Sequence, residues 1–367
     1  MNQQRLVDTF IELVKIDSES GNEREIANHL KTLYSELGFE VTEDDTQSKT
    51  GFGAGNLIMK LKGTTDQETI LLSCHMDTVT PGNGINPIIT DNVIHTDGST
   101  ILGADDKAGI AAMIEAIRTI NEEQIPHGDI EVVISVGEES HLIGASVLDG
   151  SKLNAKLGYA LDAGSEVGTI VNQAPSNATL NIEITGVTAH AGVAPENGVS
   201  AINIASRAIS NMKLGRIDAE TTANIGTIEG GSRTNIVAEK CYIVAEARSL
   251  VDSKMEAQVA HMKEAILTAA AELGGKADVE VKVNYPSFNI DKSSKVIEIA
   301  SQAAERVGRT PEVVPNGGGS DANFINKFVP TVVLAVGYQD IHTVNEKMPI
   351  DELNKLTEQV IEIIKLV

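Results

Sequence analysis

Two hydrophobic rhythms take turns along the first part of this chain. The opening "MNQQRLVDTFIELVKI" puts Leu6, Phe10, Leu13 and Val14 at helical spacing, and a second helix is expected near "NEREIANHLKTLYSELG". Short apolar runs follow at "NLIMKLKG" and "TILLSCH", then a helix at "DKAGIAAMIEAIRTI" and strands at "DIEVVISVGEE" and "KLGYALDAG". Strands separated by helices predict an α/β fold, with a mostly parallel mixed sheet between helices. The middle changes rhythm. From "TLNIEITG" to "DVEVKVNYPS" the order is strand, helix, strand, strand, helix, strand, the ferredoxin-like βαββαβ arrangement, which can stand as a unit of its own. The tail returns to the first style, with a helix at "SSKVIEIASQAAERVG", a strand at "TVVLAVG" and a closing helix at "DELNKLTEQVIEIIKLV". The expected parse is a catalytic-type α/β domain over 1–177 and 289–367, interrupted by an inserted domain over 178–288.

With 52 acidic and 29 basic residues the formal charge is −23, a field that repels nucleic acid and anionic membranes. The two cysteines, Cys74 and Cys241, give no disulfide framework and are expected to pack. No stretch approaches a membrane span, and the first residues lack a signal-peptide pattern, so a cytoplasmic protein is the expectation.

Polar groups cluster where apolar strands stop. "LLSCHMDTV" ends in His75 and Asp77, two positions apart and so on one strand face. "GADDKAG" offers Asp105 and Asp106 ahead of a helix, "VGEE" offers Glu138 and Glu139, "ALDAG" offers Asp162, and His342 follows "TVVLAVGYQDI". Each has a bland reading taken singly: a hydrogen-bonded pair, a helix cap, a solvated turn, a surface histidine. Ligands bind at the carboxyl ends of strands in open α/β sheets, so these remote residues are expected to meet. Two histidines with several carboxylates form an N/O donor set suited to zinc, cobalt or manganese.

The motifs "CHMDTV", "GADDKAG", "GEE", "ALDAG" and "HTVNE" resemble, in order and approximate spacing, the co-catalytic zinc exopeptidases that include peptidase T, glutamate carboxypeptidase and aminoacylase. The resemblance spans nearly the whole chain, and "LGADDKAGI" and "TAHAGVAPENG" look most like the peptidase T branch. It implies two divalent metal ions, zinc first, with cobalt or manganese as alternatives. His75 and Asp162 would bind one, Glu139 and His342 the other, and Asp105 would bridge them. Asp106 would cap the helix. Asp77 would hold the His75 imidazole in its ligating tautomer. Glu138 would be the general base, passing a proton from an activated water to the leaving amine.

The same resemblance gives the inserted domain the part of a lid and dimerisation domain. His190, in "TAHAGVAPENG", would stabilise the oxyanion, often from a partner subunit of a homodimer. Arg248 would clamp a substrate carboxylate, assisted by Asn235, although a salt-bridged strand end and a polar cap fit these residues equally well on sequence grounds. In "PNGGGSDANF" no Walker lysine follows, so Gly318, Gly319 and Ser320 are expected to line a substrate pocket. The expected activity is hydrolysis of a small peptide by a tripeptide aminopeptidase. A related carboxypeptidase or N-acyl-amino-acid amidohydrolase is the alternative, followed by a metal-dependent binding protein without activity. Where peptidase T has an arginine-bearing "RGGTDG"-like loop this chain reads "GGGSDANF", and it appears shorter than that branch.

Overall fold

The computed structural model describes residues 1–367. The chain divides into two compact units, Met1–Ala174 with Phe288–Val367, and Pro175–Ser287.

The first unit is built on a sheet whose strands run, in spatial order, Glu40–Glu43, Leu57–Leu61, Ile130–Ser135, Ile70–His75, Leu157–Ala163, Thr331–Ala335, Thr169–Ala174 and Phe288–Asn289, with Glu312–Pro315 also paired to Thr169–Ala174. The four central strands, from Ile130–Ser135 to Thr331–Ala335, are mutually parallel, while antiparallel pairs flank them on both sides. Central strands are buried on both faces, so they read as unbroken apolar runs such as "ILL" and "VVI". Alternate residues nevertheless go to different cores. Ile70, Leu72 and Cys74 join the cluster packed by the helices Gln3–Val14, Arg24–Glu36, Ala104–Glu122, Lys295–Arg306 and Ile350–Leu366. Leu71 joins a smaller cluster that includes Ile325 and Val329.

The helices form for local reasons that the packing then exploits. Asn2 caps the first by accepting the Arg5 N–H, and its buried stripe is Leu6, Val7, Phe10, Leu13 and Val14. The helix Ala104–Glu122 is instead buried nearly all round from Ala104 to Ile117, as its alanine-rich sequence allows.

The second unit is a five-stranded antiparallel sheet ordered Gly215–Arg216, Thr221–Gly230, Lys240–Ser249, Ser176–Thr185 and Lys276–Tyr285. With the helices Ala201–Asn211 and Asp252–Leu273 this is the βαββαβ order, plus one short strand. It has its own core, including Leu180, Ile204, Ile243, Met262 and Ile266, and Cys241 packs there. The strand expected over "TNIVAEKCYIVAEARSL" begins only at Lys240. Residues before it pair with the loop of His190 instead: Ala191 donates to the Asn235 carbonyl and Val237 to that of Ala189. The chain leaves and re-enters the first unit at one place, since Phe288 is the antiparallel partner of Ala174.

Candidate metal centre

Four of the proposed ligand segments follow the carboxyl ends of adjacent parallel strands. His75 ends the strand Ile70–His75, Asp162 lies near the end of Leu157–Ala163, Glu138 and Glu139 follow Ile130–Ser135, and His342 stands in the loop after Thr331–Ala335. Asp105 comes from the other direction, just before the regular part of the helix Ala104–Glu122. There Asp105 and Asp106 depart from helical dihedral angles and are joined by a cis peptide bond.

Asp105 sits between the histidines. Its Oδ1 is 3.1 Å from His75 Nε2 and its Oδ2 is 3.2 Å from His342 Nε2. Each ring has a further carboxylate: Asp162 Oδ1 lies 3.8 Å from His75 Nε2, and Glu139 Oε1 lies 2.8 Å from His342 Nε2. Ligand atoms converge within 4.8 Å in three sets, His75–Asp105–Asp162, Asp105–Glu139–His342 and His75–Glu138–Glu139. The third set keeps Glu138 close to the donors, but it forms no ion pair with either ring, whereas Glu139 does.

Charge is concentrated here. Burial, reinforced by Asp162, holds the Glu138 carboxyl well above its ordinary pKa, and burial with Asp105 does the same to Asp162. Burial raises Glu139 despite its contact with His342. Burial also disfavours charge on Asp105, but the two histidines outweigh it and lower its pKa. His342, beside Asp105 and Glu139, is pushed up to about 10. Crowded buried carboxylates facing two imidazoles fit a pair of divalent cations, which neutralise the acids and take both Nε2 atoms as ligands. His75, Asp105 and Asp162 would hold one ion, and Asp105, Glu139 and His342 the other.

Asp77 does more than orient His75. The closest acceptor to His75 Nδ1 is the Asp77 main-chain oxygen at 2.9 Å, with the carboxylate at 3.4 Å. Either contact places the proton on Nδ1 and leaves Nε2 for a metal. The carboxylate accepts from the Glu138 N–H at 2.9 Å, the Glu139 N–H at 3.3 Å and Ser20 Oγ at 2.6 Å. It therefore fixes the backbone carrying both glutamates.

Asp106 does not cap the helix as expected. It is fully buried, neither of its oxygens has a well-formed hydrogen bond, and it faces Cys74 and the His75 backbone. Its carboxylate lies beside Cys74 and Gly109 rather than over the helix end.

Ser320 is buried and its hydroxyl is unpaired, while Gly318 and Gly319 are half-buried in the preceding loop. In the second unit, His190 and Asn235 are exposed, and His190 Nδ1 accepts the Gly192 N–H. Arg248 makes two hydrogen bonds to Glu246, both 3.0 Å, so its guanidinium fork already holds a carboxylate.

Four residues near the centre had escaped the sequence reading. Tyr338 donates to Asp162 Oδ1 at 3.2 Å. Buried Asp321 accepts from Ser135 and, through burial, is raised to about 6. Lys107 is buried with Nζ on the Ile16 carbonyl, and burial lowers it to about 7. Glu346 accepts three backbone N–H groups beside Asp105. Asp321 and Glu346 stand inside quoted motifs, "GGGSDANF" and "HTVNE", so an acid within a motif was the available signal.

Residues 71–366 match the model of peptidase family M20/M25/M40. The fold superposes on the crystal structure of aminopeptidase PepT from Bacillus cereus with a TM-score of 0.94 and 58% identity, over 100% of this chain and 98% of that one. It superposes on a tripeptidase from Staphylococcus aureus with a TM-score of 0.98 and 50% identity, again over 100% and 98%. Peptidase T from Geobacillus thermodenitrificans is 26% identical over 99% of this chain and 98% of its own length. A strand-end cluster of histidines and acids shared around one aspartate, and a family match covering most of the sequence, lead to one assignment: the chain belongs to peptidase family M20/M25/M40.

Proposed function

We propose that this peptidase is a tripeptide aminopeptidase that works with two divalent cations, zinc by preference. The observation that carries the reading is Asp105, whose two oxygens each lie within 3.2 Å of a different imidazole, each imidazole having a second carboxylate of its own. Bound there, the cations supply electrophilic polarisation of the scissile carbonyl and acidify the attacking water. Glu138 takes the proton. Its burial raises the carboxyl's affinity for that proton, which it then delivers to the departing amine. Asp77 steadies the Glu138 backbone while fixing the His75 tautomer.

Gly318, Gly319 and Ser320 are assigned to the substrate, as are Asn235 and Arg248. Arg248 would exchange its Glu246 partner for a substrate carboxylate. His190 is assigned the oxyanion. Alanine variants of Ser320, Asn235 and Arg248 that leave KM unchanged would remove those three assignments, and an unchanged kcat in His190→Ala would remove that of His190. The protein is proposed to act in the cytoplasm as a homodimer associating through Pro175–Ser287; there the strand Thr221–Gly230 exposes Ile228 at the sheet's edge. A monomer mass by light scattering would refute the dimer.

The deciding experiment supplies zinc, cobalt or manganese to chelator-stripped protein and follows amino-acid release from a di- and tripeptide panel. Free tripeptides are expected to be cleaved from the amino end, with activity lost to chelator and regained with metal. Cleavage of an N-acetylated tripeptide at the same rate would favour an N-acyl hydrolase. Turnover of none, with metals bound, would favour a binding protein.

A further inference from the structure

The two halves of the metal centre are held by different means. His75 and Asp162 belong to strands joined by a parallel ladder, with Ile70 opposite Leu157 and Ser73 opposite Ala160. His342 lies outside that ladder, in a loop closed at its base by a single antiparallel bridge between Gln339 and Lys347. It stands there at a φ of +60°, with its side chain about half exposed. Asp105, the residue both halves share, precedes the regular helix, so the N–H groups around it lack the acceptors that a preceding turn would supply.

Glu346 supplies them. Its Oε2 accepts the N–H groups of Leu102 and Gly103, both at 2.8 Å, and its Oε1 accepts that of Asp105 at 3.0 Å. Only 1% of the residue is exposed. It follows His342 by four positions, and its own N–H closes that loop onto the Thr343 carbonyl. One carboxylate thus fastens the loop bearing the second histidine to the segment bearing the shared aspartate.

We infer that Glu346 is a positioning residue for the Asp105–Glu139–His342 subsite, setting how far His342 stands from Asp105 and so how tightly that subsite binds its ion. The His75–Asp105–Asp162 subsite shares Asp105 but draws its other two donors from the ladder, so it depends on Glu346 less. This rests on the two-cation reading above.

The test uses full-length, chelator-stripped protein titrated with cobalt and followed by calorimetry and visible absorption. Wild type is expected to show two sites. Glu346→Gln keeps the volume but offers one carbonyl oxygen to three N–H groups, and should weaken one site about 10-fold or more while changing the other less than about 2-fold. His342→Ala isolates the first subsite, and adding Glu346→Gln to it should change cobalt affinity less than about 2-fold. Glu346→Asp keeps both oxygens and should recover part of the affinity; it supplies the same comparison if the glutamine variant does not fold. Native affinity at both sites in Glu346→Gln overturns the inference. So does equal weakening in the His342→Ala background, which would mark general structural support. Wild-type protein that takes up no cobalt pair sinks the two-cation reading itself, a separate result.

Discussion

At the scale of single residues, the division of labour between neighbouring glutamates is the sharpest question. Glu139 pairs with His342 at 2.8 Å, whereas Glu138 is paired with neither ring. Glu138→Gln should therefore retain two equivalents of metal by elemental analysis while kcat falls by about 10²–10⁴-fold. Loss of metal from that variant would show Glu138 to be a ligand. The residues that converge at the strand ends were legible in the sequence because a histidine or acid ending an apolar run is conspicuous there. Glu346 and Asp321 were not singled out although each stands in a quoted motif, since an acid in a polar loop looks the same whether it meets water or a distant backbone. Only the fold brings Glu346 to Leu102, some 240 positions earlier in the chain. Asp106 was misread as a cap for a related reason. Two aspartates before a helix predict capping, and only the backbone path reveals that the second turns inward.

At the scale of elements, the helix Ala104–Glu122 comes down onto the strands that carry His75 and Asp162, and Gly109 allows it. A Cβ there would lie 2.5 Å from Asp106 Oδ1, 2.7 Å from Cys74 Sγ and 2.8 Å from the Leu161 carbonyl oxygen. The carbonyl belongs to a ladder and has little room to give. Gly109→Ala should therefore cost about 1–3 kcal/mol in urea unfolding, despite the better helix propensity of alanine. It should weaken metal binding as well, because Cys74 and Leu161 immediately precede His75 and Asp162, the proposed ligands. An unchanged or raised urea midpoint would contradict this packing. Element types were read well from the sequence because amphipathic spacing and apolar runs are strong local signals. Ends were read less well: the strand before Ser249 starts at Lys240, because tertiary pairing with the His190 loop claims the residues ahead of it.

At the scale of the whole molecule, the interruption was visible as a change of rhythm, and each unit has its own apolar cluster. Pro175–Ser287 expressed alone should unfold in one cooperative transition by circular dichroism, with both helices present. A fragment that melts without cooperativity would show that its core needs the rest of the chain. The pairing of Ala174 with Phe288 carries this further. Departure and return face each other across one rung of an antiparallel ladder, so the excursion between them is topologically a hairpin loop grown to the size of a domain. Such a loop can be lengthened, exchanged or cut back to a tight turn without rerouting any other strand. Any change made within that excursion therefore leaves the strand ends that gather His75, Asp162 and Glu139 where they are.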